Sequence, residues 1–406
     1  MRIARLVLVL LFGVSAFSQT SDKPNVRAIT AFVRLTPAGM QDQLTDALKF
    51  LQAAKAAYEK HGYQVQTIRI TTQPFTDYVK GMSQEEALVL LRRFDSWSEA
   101  NSVDPNIGPA MMNDNDPADG VELMKQVLST TKLLEGSIVV ADTQGIHWKS
   151  ARAAAEIIKY AADHSPHSQG PFNFTATAML APYAPFFPGS YHNGPGREFA
   201  IGLESANVVK RVFSTASMMS ASEELAAELS KYAVECETIA KETAQATGWR
   251  YKGLDPTPAP QGKVSVGDAI ESLTRSKFGS SGTMTAAAVI TRAVKAVKVQ
   301  QVGYSGLMVP ILEDDRLAQR WSEGTINMDS LLAYSAVCGT GLDTVPLPGD
   351  VTVEQLTAII GDMATLAFKW NKPLSARLQP IMGKKAGERT EFDNPFLVNA
   401  VIQPLP

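Results

Sequence analysis

Two cysteines and five histidines are all that this 406-residue chain offers for thiol and imidazole chemistry. Two cysteines cannot build a cysteine zinc site, and no pair of histidines stands at the spacing of a metalloprotease helix, so neither kind of zinc site is expected and only carboxylates are left as ligands for a hard cation. The net charge of -3 leaves no basic excess to draw in nucleic acid or an anionic membrane. Beyond residue 17 every apolar run is broken by charge, Gly or Pro, so no stable membrane anchor is expected. The Gly/Ser turn in "FGSSGTMTAA" (278–287) precedes a helix start but lacks the lysine and spacing of a Walker phosphate loop.

What is present begins with an address. Arg2 and Arg5 are followed by an uncharged apolar run from Leu6 to Phe17, and the small residues Ala16 and Ser18 precede Gln19. This is the layout of a secretory signal peptide. It predicts a leader over 1–18, a periplasmic or secreted location in a bacterium, and a mature chain of residues 19–406.

The mature chain alternates strand-like and helix-like segments over almost its whole length. Strands are predicted at 26–35, 63–72 and 137–142, in "FNFTATAMLAPY" and "EFAIGLES" around an aromatic loop, and in "WRYKGLD". Further strands are predicted at "VQQVGYSGLMVPIL", "PLSARLQPI" and "LVNAVIQPL", and one long helix over 207–247. No repeat, low-complexity tract or polar linker divides the chain. The pattern implies one α/β domain, a sheet covered by helices.

Several residues carry candidate chemistry. Cys338 stands in "AVCGTGLDTVPLPGD" (336–350), where Gly339 and Gly341 free the backbone and Pro346 and Pro348 stiffen the exit. Such a loop presents a sulfur as a nucleophile, whereas the plainer alternative is a small buried apolar cysteine. His192, on the loop "FFPGSYHNGPG", is a candidate general base for it, against the alternative of a loop histidine bonded to nearby backbone. Glu204, Asp255 and Glu313 each follow an apolar strand, where ligands gather in α/β folds; Asp314 fits helix capping better. Asp343 lies on the Cys338 loop, and Lys384 belongs to the basic loop "GKKAGER".

Five blocks in order, "AIGLESANVV" (200–209), "GLDPTPAP" (253–260), "GYSGLMVPILED" (303–314), "AVCGTGLDTVPLPGD" and "PIMGKKAGERTEF" (380–392), resemble the uncharacterised domain-of-unknown-function family 711. The resemblance implies a ten-stranded α/β barrel like that of pyruvate formate-lyase and ribonucleotide reductase, helices outside, with the cysteine-bearing loop toward the interior. Glycyl-radical chemistry is not expected, because the nearest fragment to its motif, "QQVGY" (300–304), has Gln300 where arginine belongs and lies far from the C-terminus. The resulting expectation is a non-radical enzyme acting on a small polar or anionic molecule, with Cys338 and His192 catalytic and Glu204, Asp255, Asp343, Glu313 and Lys384 binding. The alternative is a catalytically silent periplasmic binding protein on the same barrel. No motif specifies a cofactor, and the expected partner is a small-molecule ligand, with homo-oligomerisation left open.

Overall fold

The strand-forming runs assemble into a single curled sheet in this computed structural model, which describes residues 23–405. The expected leader lies outside the described residues. The strands are β1 (Asn25–Val33), β2 (Val65–Thr72), β3 (Asp104–Pro109), β4 (Glu135–Asp142), β5 (Gly145–Ile146), β6 (Phe174–Ala178), β7 (Glu198–Glu204), β8 (Arg250–Asp255), β9 (Gly341–Pro348) and β10 (Leu374–Ile381). Their order is β8-β7-β1-β2-β3-β4-β6-β10-β9, with the short β5 folded back on β4. β1, β2, β3, β4 and β6 run parallel; β7 meets β1 and β10 meets β6 antiparallel, so the remaining strands run the other way.

Both edges reach the same segment. Leu254 of β8 is bridged to Gln301, and Asp343 of β9 to Pro310, each in parallel. Residues 301–310 therefore sit between the two edge strands, joined by isolated bridges rather than a ladder. The expected continuous strand over 299–312 does not form. Gly303 (φ 71°) and Ser305 (φ 45°) turn the backbone left-handed, and Asp255 captures the amides of Tyr304 and Ser305 at 2.8 and 3.1 Å.

The outer face of the sheet is sealed by helices whose apolar residues recur at helical spacing. On the helix Met40–Lys60 the buried set includes Met40, Leu44, Ala47, Leu51, Ala54 and Tyr58. The expected long helix over 207–247 is two, Ala206–Phe213 and Ala221–Thr247. At the C-terminus, the expected strand over 397–405 is irregular, held by one bridge between Arg389 and Val401. Among the described residues no helix is long and apolar enough to cross a membrane.

The inner face is different, being polar and threaded by a loop. Along β2, Ile70 joins the main hydrophobic core while Thr67, Arg69 and Thr71 alternate to the inside. Residues 181–196, between β6 and β7, run through this interior. Thr30 donates to the Pro185 carbonyl at 2.9 Å, Asn106 Nδ2 to the Pro188 carbonyl at 2.8 Å, and Thr71 and Ser190 share a hydroxyl hydrogen bond at 2.8 Å. Gly202 on β7 makes room for the loop: a Cβ there would lie 3.1 Å from the Phe186 ring. The interior loop is thus the aromatic 181–196 segment, and it contains no cysteine. This corrects the expectation that the Cys338 segment occupies that position.

Candidate functional site

Two bulges aim charged side chains inward. β1 carries one residue more than β7 between Val26 and Ala28, and the extra residue, Arg27, lines the interior cavity. β9 likewise gains a residue on β10 between Leu342 and Val345, where Thr344 is held at φ 47°. That conformation is costly for a β-branched residue and is characteristic of functional sites. The adjacent Asp343 is thereby brought to Arg377 Nε at 2.8 Å.

The result is a cavity of about 200 Å³ with one charged wall and one apolar wall. Arg377 of β10 donates to Asp343 and, through Nη2, to Glu313. Arg27 lies 3.6 Å from Glu313 and 3.5 Å from Glu204. Arg69 of β2 donates from Nε to Thr67 at 2.8 Å and stands 3.7 Å from Asp104. Glu135 begins β4 on the same wall, with no hydrogen-bond or ion-pair partner among the described residues. Burial pushes its carboxyl from 4.5 up to about 8, against the pull of Arg69 and Arg377. Burial also raises Glu313, the neighbouring Arg377 opposing it. The apolar wall is a satellite hydrophobic cluster inside the sheet, of which Phe186, Ala259, Tyr304 and Met308 face the cavity.

Of the residues singled out from sequence, Glu313 and Asp343 meet in this cavity. Glu204 is buried just behind it, accepting from Asn25 at 2.9 Å and Gln66 at 2.6 Å. Asp255 is elsewhere and fully engaged: it accepts from the Thr257 amide and hydroxyl and from the amides of Tyr304 and Ser305. Its role is to position Tyr304 on the cavity wall. Asp314 caps two helices, taking the amides of Val266 and Gly267 with one oxygen and those of Arg316 and Leu317 with the other. Lys384 lies in a separate shallow hollow, paired with Glu391 at 2.8 Å.

Cys338 and His192 do not line the cavity. Cys338 is 1% exposed and belongs to the main hydrophobic core, its carbonyl taken by Lys372 Nζ and its amide bonded to Tyr334. The next residue, Gly339, packs backbone to backbone on Gly306, an approach that a Cβ on either would block. Both cysteines are buried free thiols. His192 is buried with Nε2 3.0 Å from the Val33 carbonyl and its ring against Phe32 and Tyr183. Burial lowers it from 6.5 to about 4, so it is neutral at physiological pH. Neither group is placed to serve a substrate in the cavity. Cys338→Ser is accordingly expected to cost about 1–3 kcal/mol, from a hydroxyl put among aliphatic side chains. Urea melts check this; unchanged stability with lost ligand binding would show that the sulfur acts at the site.

Arg27, Arg69, Arg377 and Glu135 were not legible as site residues. The available signal was a lone charge within an otherwise apolar strand, as in "VRAITAFV", "TIRI" and "LSARLQP". Among the described residues no group of three or more His, Cys, Asp or Glu could hold a metal ion.

A mixed α/β sheet curled around a polar, loop-filled interior is the class of protein that this geometry defines. Residues 19–393 match the family described as Uncharacterised ACR (DUF711), and the chain belongs to that family. Similar proteins include a UPF0210 protein of Pyrobaculum arsenaticum, 30% identical and covering 90% of this chain and 86% of the relative. A UPF0210 protein of Neisseria meningitidis serogroup B is 26% identical over 95% of this chain and 87% of its own length. Archaeal as well as bacterial members thus exist, so the family is not confined to bacteria. Among solved structures, the anaerobic ribonucleotide reductase from Thermotoga maritima in complex with dATP and CTP aligns over 87% of this chain and 75% of its own, with 8% identity and a TM-score of 0.43.

Proposed function

We propose that this protein is an exported, non-radical enzyme that acts on a small polar or anionic molecule in the interior cavity, with Glu135 exchanging a proton with it. The observation that carries the reading is the contrast between Glu135 and its neighbours. Arg377 engages both Glu313 and Asp343, whereas Glu135 stands on the cavity wall with no hydrogen-bond or ion-pair partner among the described residues. A carboxyl that titrates near 8 keeps its proton in most molecules at pH 7 and gives or takes one at little cost. The terminal amino groups of Arg69, which have no acceptor among the described residues, offer an anion its donors on the same cavity. The interior loop brings Phe186, Phe187 and Pro188 to the cavity instead of a thiol, which supports chemistry without a thiyl radical. The leader-like composition of residues 1–18 supports export.

The test is depletion. Wild-type protein incubated with a bacterial small-molecule extract should consume at least one organic acid, followed by mass spectrometry. Glu135→Gln should lose that consumption by about 10²-fold or more, the usual contribution of a general acid or base. Equal consumption by both proteins would contradict the role of Glu135. Binding without consumption in the wild type would favour a silent binding protein.

A further inference from the structure

We propose that the cavity takes a small monocarboxylate with a ring-sized apolar body, its carboxylate held by the two terminal amino groups of Arg69. This deepens, and rests on, the reading of the cavity as a site for a small anion.

Arg69 is the cation with donors to spare. It is 7% exposed and lines the cavity, with its guanidinium 4.8 Å above the Phe187 ring. Only Nε is engaged, on the Thr67 hydroxyl; Nη1 and Nη2 have no acceptor among the described residues. These two amino groups line the cavity with no protein acceptor among the described residues, and a carboxylate meets such a fork with two parallel hydrogen bonds. The other cations are committed. Arg377 is held by Asp343 and Glu313, Arg27 by Gln66, Glu204 and Glu313, and Lys132 by Glu99 at 2.7 Å.

The same inventory sets the charge of the ligand. Glu313, Asp343 and Asp104 all border the space that a ligand on Arg69 would occupy. A second negative charge would face those carboxylates at short range, where like charges repel. A single carboxylate matches the two terminal amino groups of Arg69, whose Nε side already faces Thr67 and Asp104, and a protonated Glu135 can donate to it.

The apolar wall sets the body. Phe186, Ala259, Tyr304 and Met308 offer ring faces and aliphatic carbon, and the Phe187 ring, with the Arg69 guanidinium 4.8 Å over it, joins that surface to the anchor. An apolar cavity of roughly 150 Å³ holds a benzene molecule. The volume here, about 200 Å³, has room for a ring together with its carboxylate.

Calorimetry and thermal shift on the mature protein, with benzoate, benzamide, acetate, succinate and inorganic phosphate as probes, test this. Benzoate should bind wild type at least about tenfold more tightly than benzamide, which lacks the charge, and than acetate, which lacks the ring. Arg69→Met should lose at least about tenfold for benzoate, with Arg69→Lys between the two. Benzamide binding as tightly as benzoate, or benzoate binding unchanged in Arg69→Met, would overturn the Arg69 anchor; the first comparison uses wild type and stands even if the variant misfolds. A preference for phosphate or succinate would overturn the monocarboxylate class while leaving the anion cavity intact. Failure of all four anions to bind wild type would defeat both readings.

Discussion

Replacing Arg377 by methionine is expected to lower the unfolding free energy by about 3–5 kcal/mol at neutral pH, because it strands two buried carboxylates. Nε and Nη2 of Arg377 are the donors for Asp343 and Glu313, and each of the three side chains is almost wholly enclosed. Arg27, 3.6 Å from Glu313, is the only other cation in ion-pair contact with these acids among the described residues. Without Arg377 the acids must take up protons or repel each other. Two further results follow from that cause. The deficit should shrink as pH falls and the acids protonate. The triple variant Arg377→Met, Glu313→Gln, Asp343→Asn should recover much of the loss, since the cost lies in the unmatched charges rather than in the missing pair. Denaturant melts measure all three; a loss below about 1 kcal/mol in the single variant would mean that water reaches and screens the cluster.

Glu135 gives the second large effect, with a definite sign. Its folded carboxyl binds a proton up to a pH of about 8, while the unfolded chain releases that proton near the ordinary value of 4.5. Across this window the folded state holds more protons, so stability is complete below about pH 4.5 and falls as pH rises to 8. Glu135→Gln removes the linkage and keeps the shape. The variant should match wild type near pH 5 and exceed it by roughly 3–4 kcal/mol at pH 9. Water entering the cavity mouth reduces the figure but not the direction. A stability difference that stays constant from pH 5 to 9 would show that the carboxyl titrates normally.

The sequence conveyed the α/β alternation where strands are written in β-branched runs, as in β1, β2 and β4, or in short apolar runs between helical segments, as in β7 and β10. It concealed β3 and β9 behind proline. β9, "GLDTVPLP", reads as a stiff turn because Pro346 and Pro348 cannot donate to a ladder on both sides. At the sheet's edge they need not: beyond β9 lies only the bridge from Asp343 to Pro310. β3, "DPNIGP", begins and ends near proline and pairs through short registers on either side.

The site was half legible for a related reason. Acids at strand ends stand out, which marked Glu313, whereas Asp343 was marked by its place on the Cys338 loop. Arg27 and Asp343 reach the cavity through bulges, which depend on the count of residues in a neighbouring strand and leave no local mark. Cys338 and His192 stood out by chemical type and by their glycine- and proline-rich loops, which do not say where the side chains point. Their addresses, a core beneath paired glycines and the far end of the inner loop, are tertiary facts.

The most direct test of the account is a pH titration of the Glu135 carboxyl by infrared difference spectroscopy, wild type against Glu135→Gln. The expected result is a protonated carboxyl band, absent from the variant, that disappears with a midpoint near pH 8. A midpoint near 4.5, with no such band at neutral pH, would remove the proton from the cavity and with it the proposed chemistry.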